Sequence, residues 1–207
     1  AYHIRGKKVK VPSNYITREE LGSNQAQYTR HKTNGTNTGS YVTWDGTFRG
    51  DVSSSHDVNK SKVYTNNPAW IFYDILTDKE VGLGNFLKET DIDVYSLYQI
   101  ARHCDELVPD GKGGQEPRFS CNVYLQRQED AYKVLKDLAS SFRGMMYWID
   151  GQITAIQDTF KEPVYTFTNG NVLDGLFEYS FTGKRARTNQ VNVTWSNPDE
   201  LFKQSVL

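Results

Sequence analysis

Apolar and polar residues alternate most clearly at 119–125, where Phe119, Cys121, Val123 and Leu125 are separated by Ser120, Asn122 and Tyr124. A period of two predicts a strand with one buried face. The period then changes. Ala131, Val134, Leu135, Leu138, Ala139 and Phe142 recur at i, i+3, i+4, i+7, i+8 and i+11, which lines one side of a helix over 129–142. Glu129 and Asp130 at its start and Arg143 at its end suit the helix dipole, and Gly144 is the expected left-handed residue that closes it. Strand character resumes over 145–149. Asp150-Gly151 supplies the two positive-φ residues of a type I′ turn, and 153–157 returns antiparallel. The prediction for 119–157 is a β-α-β-β unit.

Around this unit the patterning is less regular. Arg5-Gly6-Lys7-Lys8-Val9-Lys10-Val11-Pro12 alternates cations with valines, which predicts a strand whose lysines protect an edge; a phosphate-binding arm is the functional alternative. Residues 13–40 are almost free of apolar side chains and read as loop or insertion, as do 50–62, while 41–48 regains strand and turn character about Trp44-Asp45-Gly46. Asn67-Pro68 opens a helix over 69–76. Trp70, Ile71, Tyr73, Ile75 and Leu76 make that helix apolar nearly all round, which predicts burial between two layers. Gly82 and Gly84 follow it. Asp91 or Asp93 caps a second helix through Leu107, with Val94, Leu97, Ile100, Ala101, Cys104 and Leu107 on its apolar face. One proline and three glycines make 108–114 a loop without regular structure. After Glu162-Pro163 a short strand is expected at 164–167 and a turn at 168–173. A long hairpin over 176–195 then places Val191, Val193 and Trp195 on one face and Asn192 and Thr194 on the other. The fold class is α+β, with the β-α-β-β unit and two further helices, divided as 1–62, 63–116, 117–160 and 161–207.

A length of 207 residues supports one or two domains with a hydrophobic core. The sequence begins with Ala1, inside what reads as a strand, and an excised piece of a longer chain is expected. Lys and Arg number 24 against 25 Asp and Glu, so a net charge of -1 gives no basis for stable nucleic-acid binding. No apolar run approaches 18 residues, so no membrane-spanning helix is expected. Two cysteines, Cys104 and Cys121, make neither a disulfide framework nor a zinc site and read as buried thiols.

Candidate chemistry is sparse. His103, Cys104, Asp105 and Glu106 are neighbours on a helix, where successive side chains diverge by about 100° and do not converge on one ion. Asp110-Gly111-Lys112-Gly113-Gly114 lacks the spacing of a phosphate loop and precedes a strand instead of a helix. Most of the 13 tyrosines and 4 tryptophans fall at buried-looking positions, which favours core over sugar platform. Lys184, Arg185 and Arg187 suit either a phosphate or a charged contact across a subunit interface. No cofactor, catalytic group or metal site is expected.

Six strings in a fixed order carry a resemblance. Gly6-Lys7-Lys8-Val9-Lys10-Val11-Pro12-Ser13-Asn14-Tyr15 comes first, and Trp44-Asp45-Gly46-Thr47-Phe48 and Thr65-Asn66-Asn67-Pro68-Ala69-Trp70 follow, with Gly82-Leu83-Gly84 after them. Cys104-Asp105-Glu106-Leu107-Val108-Pro109-Asp110-Gly111 and Leu138-Ala139-Ser140-Ser141-Phe142-Arg143-Gly144 complete the set. Together they resemble the tail tip, or host-specificity, protein J family of lambda-like phages, in which 16–40 and 50–62 stand out as insertions.

The resemblance implies a structural protein and not an enzyme: small β-rich, tube-type hub domains, related to baseplate hubs, that close the distal end of a tail tube. It further implies a homotrimer, contacts with other tail-tip and tail-tube proteins, the tape-measure protein as a further candidate partner, and a place at the virion tail tip after assembly in the bacterial cytoplasm. In that setting Lys184, Arg185, Arg187, Val191, Val193 and Trp195 are the candidate subunit-interface residues, the 176–195 hairpin pairing edge to edge around a three-fold axis. A receptor- or glycan-binding module using the aromatic residues and the polar arm 13–40 is the alternative. A wall-degrading hydrolase, which would need two acids in a cleft, is a third reading.

Overall fold

Asn67 and Pro68 begin a helix for the reason the sequence suggests: the Asn67 side chain accepts the Ala69 N–H at 3.0 Å, and proline fills the first helical position. This helix, α1 (Pro68–Thr77), buries Trp70, Phe72, Tyr73 and Leu76 completely. The computed structural model describes residues 6–15, 44–49, 62–125, 129–197, 200–201 and 203–206. The expected insertions at 16–40 and 50–62 therefore lie outside the described residues, apart from Lys62.

The same Asn67 joins α1 to the next helix, α2 (Val94–Asp105), donating through Nδ2 to the Ala101 carbonyl at 2.9 Å and to Asp105 at 2.8 Å. Asp93, one of the two expected caps, accepts the Ser96 N–H and starts α2. The helix stops at Asp105, so Leu107 leaves its predicted apolar face and enters a strand. A third helix, α3 (Ala131–Ser140), is capped by Asp130, which accepts the Lys133 N–H, and buries Leu135, Leu138 and Ala139. It packs on α1 and on the hairpin that follows.

Among the described residues eight short strands form four antiparallel pairs: β1 (Val9–Lys10) with β2 (Lys62–Val63), β3 (Leu107–Pro109) with β4 (Gln115–Pro117), β5 (Gly144–Ile149) with β6 (Gln152–Gln157), and β7 (Thr194–Asn197) with β8 (Lys203–Val206). The β5–β6 turn is as predicted, with Asp150 at φ 51° and Gly151 at φ 80°. Its inner face, through Ile153 and Ala155, packs on α2. β1 lies on α1, and behind it an aromatic cluster fills the core: Trp44 stacks on Tyr98 at 4.9 Å, Phe48 on Tyr73 at 4.7 Å, and Trp70 meets Trp44 and Phe48 edge-on. The chain divides into two units, 1–159 and 160–207.

The α+β class holds, but several expected elements do not form. Residues 119–125 make no strand, so 119–157 is an α-β-β unit preceded by an extended tie. The Phe119 N–H goes to the Cys104 carbonyl at the end of α2 and the Cys121 N–H to the Asn66 carbonyl. Phe119 and Cys121 lean on the core while Val123, Tyr124 and Leu125 are exposed. The left-handed residue after α3 is Arg143, at φ 57°, and Gly144 is already strand. Glycine is needed at 144 for space, because a Cβ there would lie 2.1 Å from the Phe142 ring. The loop predicted over 108–114 is shorter than expected, because Val108 and Pro109 belong to β3 and pair with Glu116 and Gln115; in the remaining turn Asp110 accepts the N–H groups of Lys112 and Gly114.

In the second unit 164–167 is not a strand, and the 176–195 hairpin does not form. Residues 176–183 have no sheet partner among the described residues, Lys184–Ala186 is a single 3-10 turn, and Thr194–Asn197 pairs forward with Lys203–Val206. Period-two patterning tells which side chains share a face, not which strand lies alongside. The turn expected at 168–173 is present, the Asn171 side chain accepting the Thr168 N–H at 2.7 Å.

Candidate assembly surface

A chain segment folds by burying apolar side chains, and among the described residues of 160–206 hardly any do so. The last buried apolar residue in the described chain is Ala155. Beyond it, Phe160, Val164, Leu173, Leu176, Tyr179 and Phe181 are each at least 77% exposed. The predicted interface residues fall in this segment but not on one hairpin face. Lys184 and Arg185 sit in the 3-10 turn, with Arg187 closing it, all exposed. Val191 and Val193 are exposed and precede β7, whereas Trp195 is half-buried within β7, opposite Ser205. The Trp195 Nε1–H is buried and meets no acceptor among the described residues.

Sequence reasoning missed a second apolar surface. On β5–β6 the core side carries Met146, Ile153 and Ala155, and the opposite face carries Met145, Tyr147, Ile149 and Ile156, all exposed, with Trp148 exposed near the turn. The signal was present: 145–149 is apolar at every position, the composition of a strand covered on both faces.

The chemical alternatives find little footing. Cys104 is buried, and burial followed by the neighbouring Asp105 charge pushes its thiol far up; burial also raises the half-buried Cys121. Both are held as unreactive thiols. Among the described residues no three His, Cys, Asp or Glu side chains are placed to hold a metal ion. The basic run is engaged by the chain itself, Lys10 with Glu89 at 2.8 Å and Lys7 with Asp74 and Asp78. Trp44, Trp70, Tyr73 and Tyr98, which a sugar platform could have used, are core.

Lys7 and Asp78 have a pH signature. Burial works against the Asp78 carboxylate, but the Lys7 hydrogen bond and the N–H groups of Val81 and Glu80 outweigh it and hold the group well below the usual carboxylate range. Burial likewise opposes the Lys7 charge, and Asp78 and Asp74 overcome it and raise the lysine. A depressed carboxylate stabilises the fold fully above its unfolded value, about 3.9, and progressively less as pH falls through that value toward the folded one. Asp78→Asn is therefore expected to cost about 1–3 kcal/mol at neutral pH. That difference from the unaltered chain should shrink steadily below about pH 4, as measured by denaturant unfolding at several pH values.

Comparison with known proteins places these features. Residues 130–206, from α3 through the exposed second unit, match the family model Phage-tail_3, putative phage tail protein. The tip attachment protein J of Escherichia phage SECphi27 is 37% identical over 202 residues, 97% of this chain and 14% of that protein. The tip attachment protein J of Escherichia phage SECphi4 is 35% identical over 203 residues, 98% of this chain and 15% of that protein. Over nearly all of its own length the chain is similar to one stretch of these tip attachment proteins J. It spans only about one seventh of the length of these relatives. The family resemblance of the sequence strings thus extends over nearly all of the chain, and the family model covers residues of both units.

Proposed function

We propose that this chain is a structural part of a phage tail tip, one segment of a trimeric central hub that closes the distal end of the tail tube. The observation that carries the reading is the exposed apolar segment 160–206. Covering a large apolar side chain contributes about 1.5–3 kcal/mol, and many of them are exposed in this one segment. Aromatic and aliphatic residues with arginines beside them have the composition of an interface core and its surround. Among the described residues the β7–β8 hairpin has two strand edges and the 176–183 stretch no sheet partner, so edge-to-edge pairing with neighbouring copies or other tail proteins completes the wall. Lys184, Arg185 and Arg187 then serve as charged contacts beside Val191, Val193 and Trp195. Tail-tip and tail-tube proteins are the partners, with the tape-measure protein a further one, and the location is the virion tail after assembly in the host cytoplasm. Among the described residues no helix is long and apolar enough to cross a membrane.

No catalysis is assigned to the chain. Its two buried neighbouring carboxylates, Asp74 and Asp78, are closed by lysines and are not presented to a substrate. Phe181→Glu combined with Val193→Glu, introduced into the full-length protein, tests the structural role. Two interface anchors worth about 2 kcal/mol each predict a loss of association of at least about a hundredfold. Sedimentation should show loss of the trimer, and complementation of a phage lacking the protein should give few infectious particles, while circular dichroism stays unchanged. Normal trimers and normal infectivity would sink the proposal. Charge reversal at Arg185 and Arg187 without effect would remove only those two residues from the interface.

A further inference from the structure

Helix α1 ends against an electrostatic rule. The C-terminal end of a helix carries the negative pole of its dipole and favours cations, yet α1 has no base in its last turn. Instead Asp74 lies there and Asp78 forms the C-cap, its N–H bonding the Asp74 carbonyl. The two aspartates are 4% and 9% exposed. Two negative charges held together out of water at a negative pole need a compensating partner.

That partner comes from far along the chain. Lys7 Nζ lies 3.1 Å from the Asp74 carboxylate and 2.5 Å from that of Asp78. Lys62 Nζ lies 3.7 Å and 3.6 Å from the same two groups. The lysines stand on opposite members of one strand pair, Lys7 just ahead of β1 and Lys62 within β2. Asp78 also accepts the N–H groups of Glu80 and Val81 at 2.9 Å each, which fixes its carboxylate in place. Lys8 and Lys10 of the basic run are directed elsewhere, Lys8 over the Tyr64 ring and Lys10 toward Glu89.

We infer that Asp74 and Asp78 form a two-carboxylate socket that docks the β1–β2 strand pair onto α1 as a charge-coupled latch, so that neither the strand pair nor the end of α1 keeps its form without the other. The inference rests on the fold and not on the proposed assembly. Its particular consequence is an asymmetry. Removing the two lysines strands two buried carboxylates beside each other and costs more than removing all four charges together.

Amide hydrogen exchange on the full chain tests this. Lys7→Met with Lys62→Met should speed exchange in segments 6–11 and 62–66, and around 74–84, by about tenfold or more, while 131–140 and 144–157 exchange as before. Adding Asp74→Leu and Asp78→Asn to the same chain should restore much of the protection. A Lys7→Met, Lys62→Met chain that exchanges like the unaltered protein overturns the latch, as does a four-fold variant no better protected than that double variant. If the double lysine variant does not fold, Lys62→Met alone, which loses only the two longer contacts, gives the same comparison with and without Asp74→Leu.

Discussion

Leu138→Asp is expected to abolish the folded state. Leu138 is 3% exposed on α3, in the same cluster as Leu135, Ala139 and Phe142. Truncating a buried leucine costs about 2–5 kcal/mol, and an unpaired carboxylate at that depth adds several more. The sum reaches the whole stability of an ordinary domain, about 5–15 kcal/mol. Circular dichroism and gel filtration of the full chain should show an unfolded or aggregated product, whereas Leu138→Met, which keeps the volume, should cost less than about 1.5 kcal/mol. A folded Leu138→Asp chain that failed only in assembly would instead place α3 at an interface.

The second large effect is expected at Gly84. After α1 the chain turns back on the helix end, so that the Leu83 N–H bonds the Ile75 carbonyl at 2.9 Å and the Gly84 N–H bonds the Asp78 carbonyl at 3.0 Å. These are carbonyls that a helix end leaves without partners. The approach is so close that a Cβ on Gly84 would lie 2.0 Å from the Thr77 carbonyl oxygen and 2.5 Å from its carbon. Backbone cannot yield as a flexible side chain does. Gly84→Ala should therefore lower stability by about 3 kcal/mol, at or above the upper end of ordinary overpacking. Urea unfolding should show a lower midpoint with an unchanged slope. A shift below about 0.5 kcal/mol would mean that the turn can move off the helix end without loss.

The three helices were legible because each declares itself locally. Asn67, Asp93 and Asp130 are short polar side chains set ahead of apolar repeats, and each caps its helix as its position suggests. The Asp150-Gly151 hairpin was legible because its turn demands positive φ at two adjacent residues. Phe119–Leu125 and 176–195 misled for a common reason. Both alternate as strands do, but alternation is satisfied by any environment that covers one face, including the end of a helix or surfaces supplied by another chain. The candidate surface was likewise half visible. The apolar run at 145–149 announced a strand wanted on both sides, while nothing in Phe160, Leu176 or Phe181 separately distinguishes a core residue from one kept for assembly.

By itself the sequence determined the α+β class, the helix starts, the type I′ turn and the family strings, all of which follow from interactions within a few residues. Tertiary structure alone decided that β7 pairs forward with β8, that Gly84 lies against a helix end, and that Lys7 and Lys62 share the carboxylates of Asp74 and Asp78. Those contacts join residues far apart in the chain, or depend on how closely two backbones approach, and such distances exist only once the core has brought the segments together.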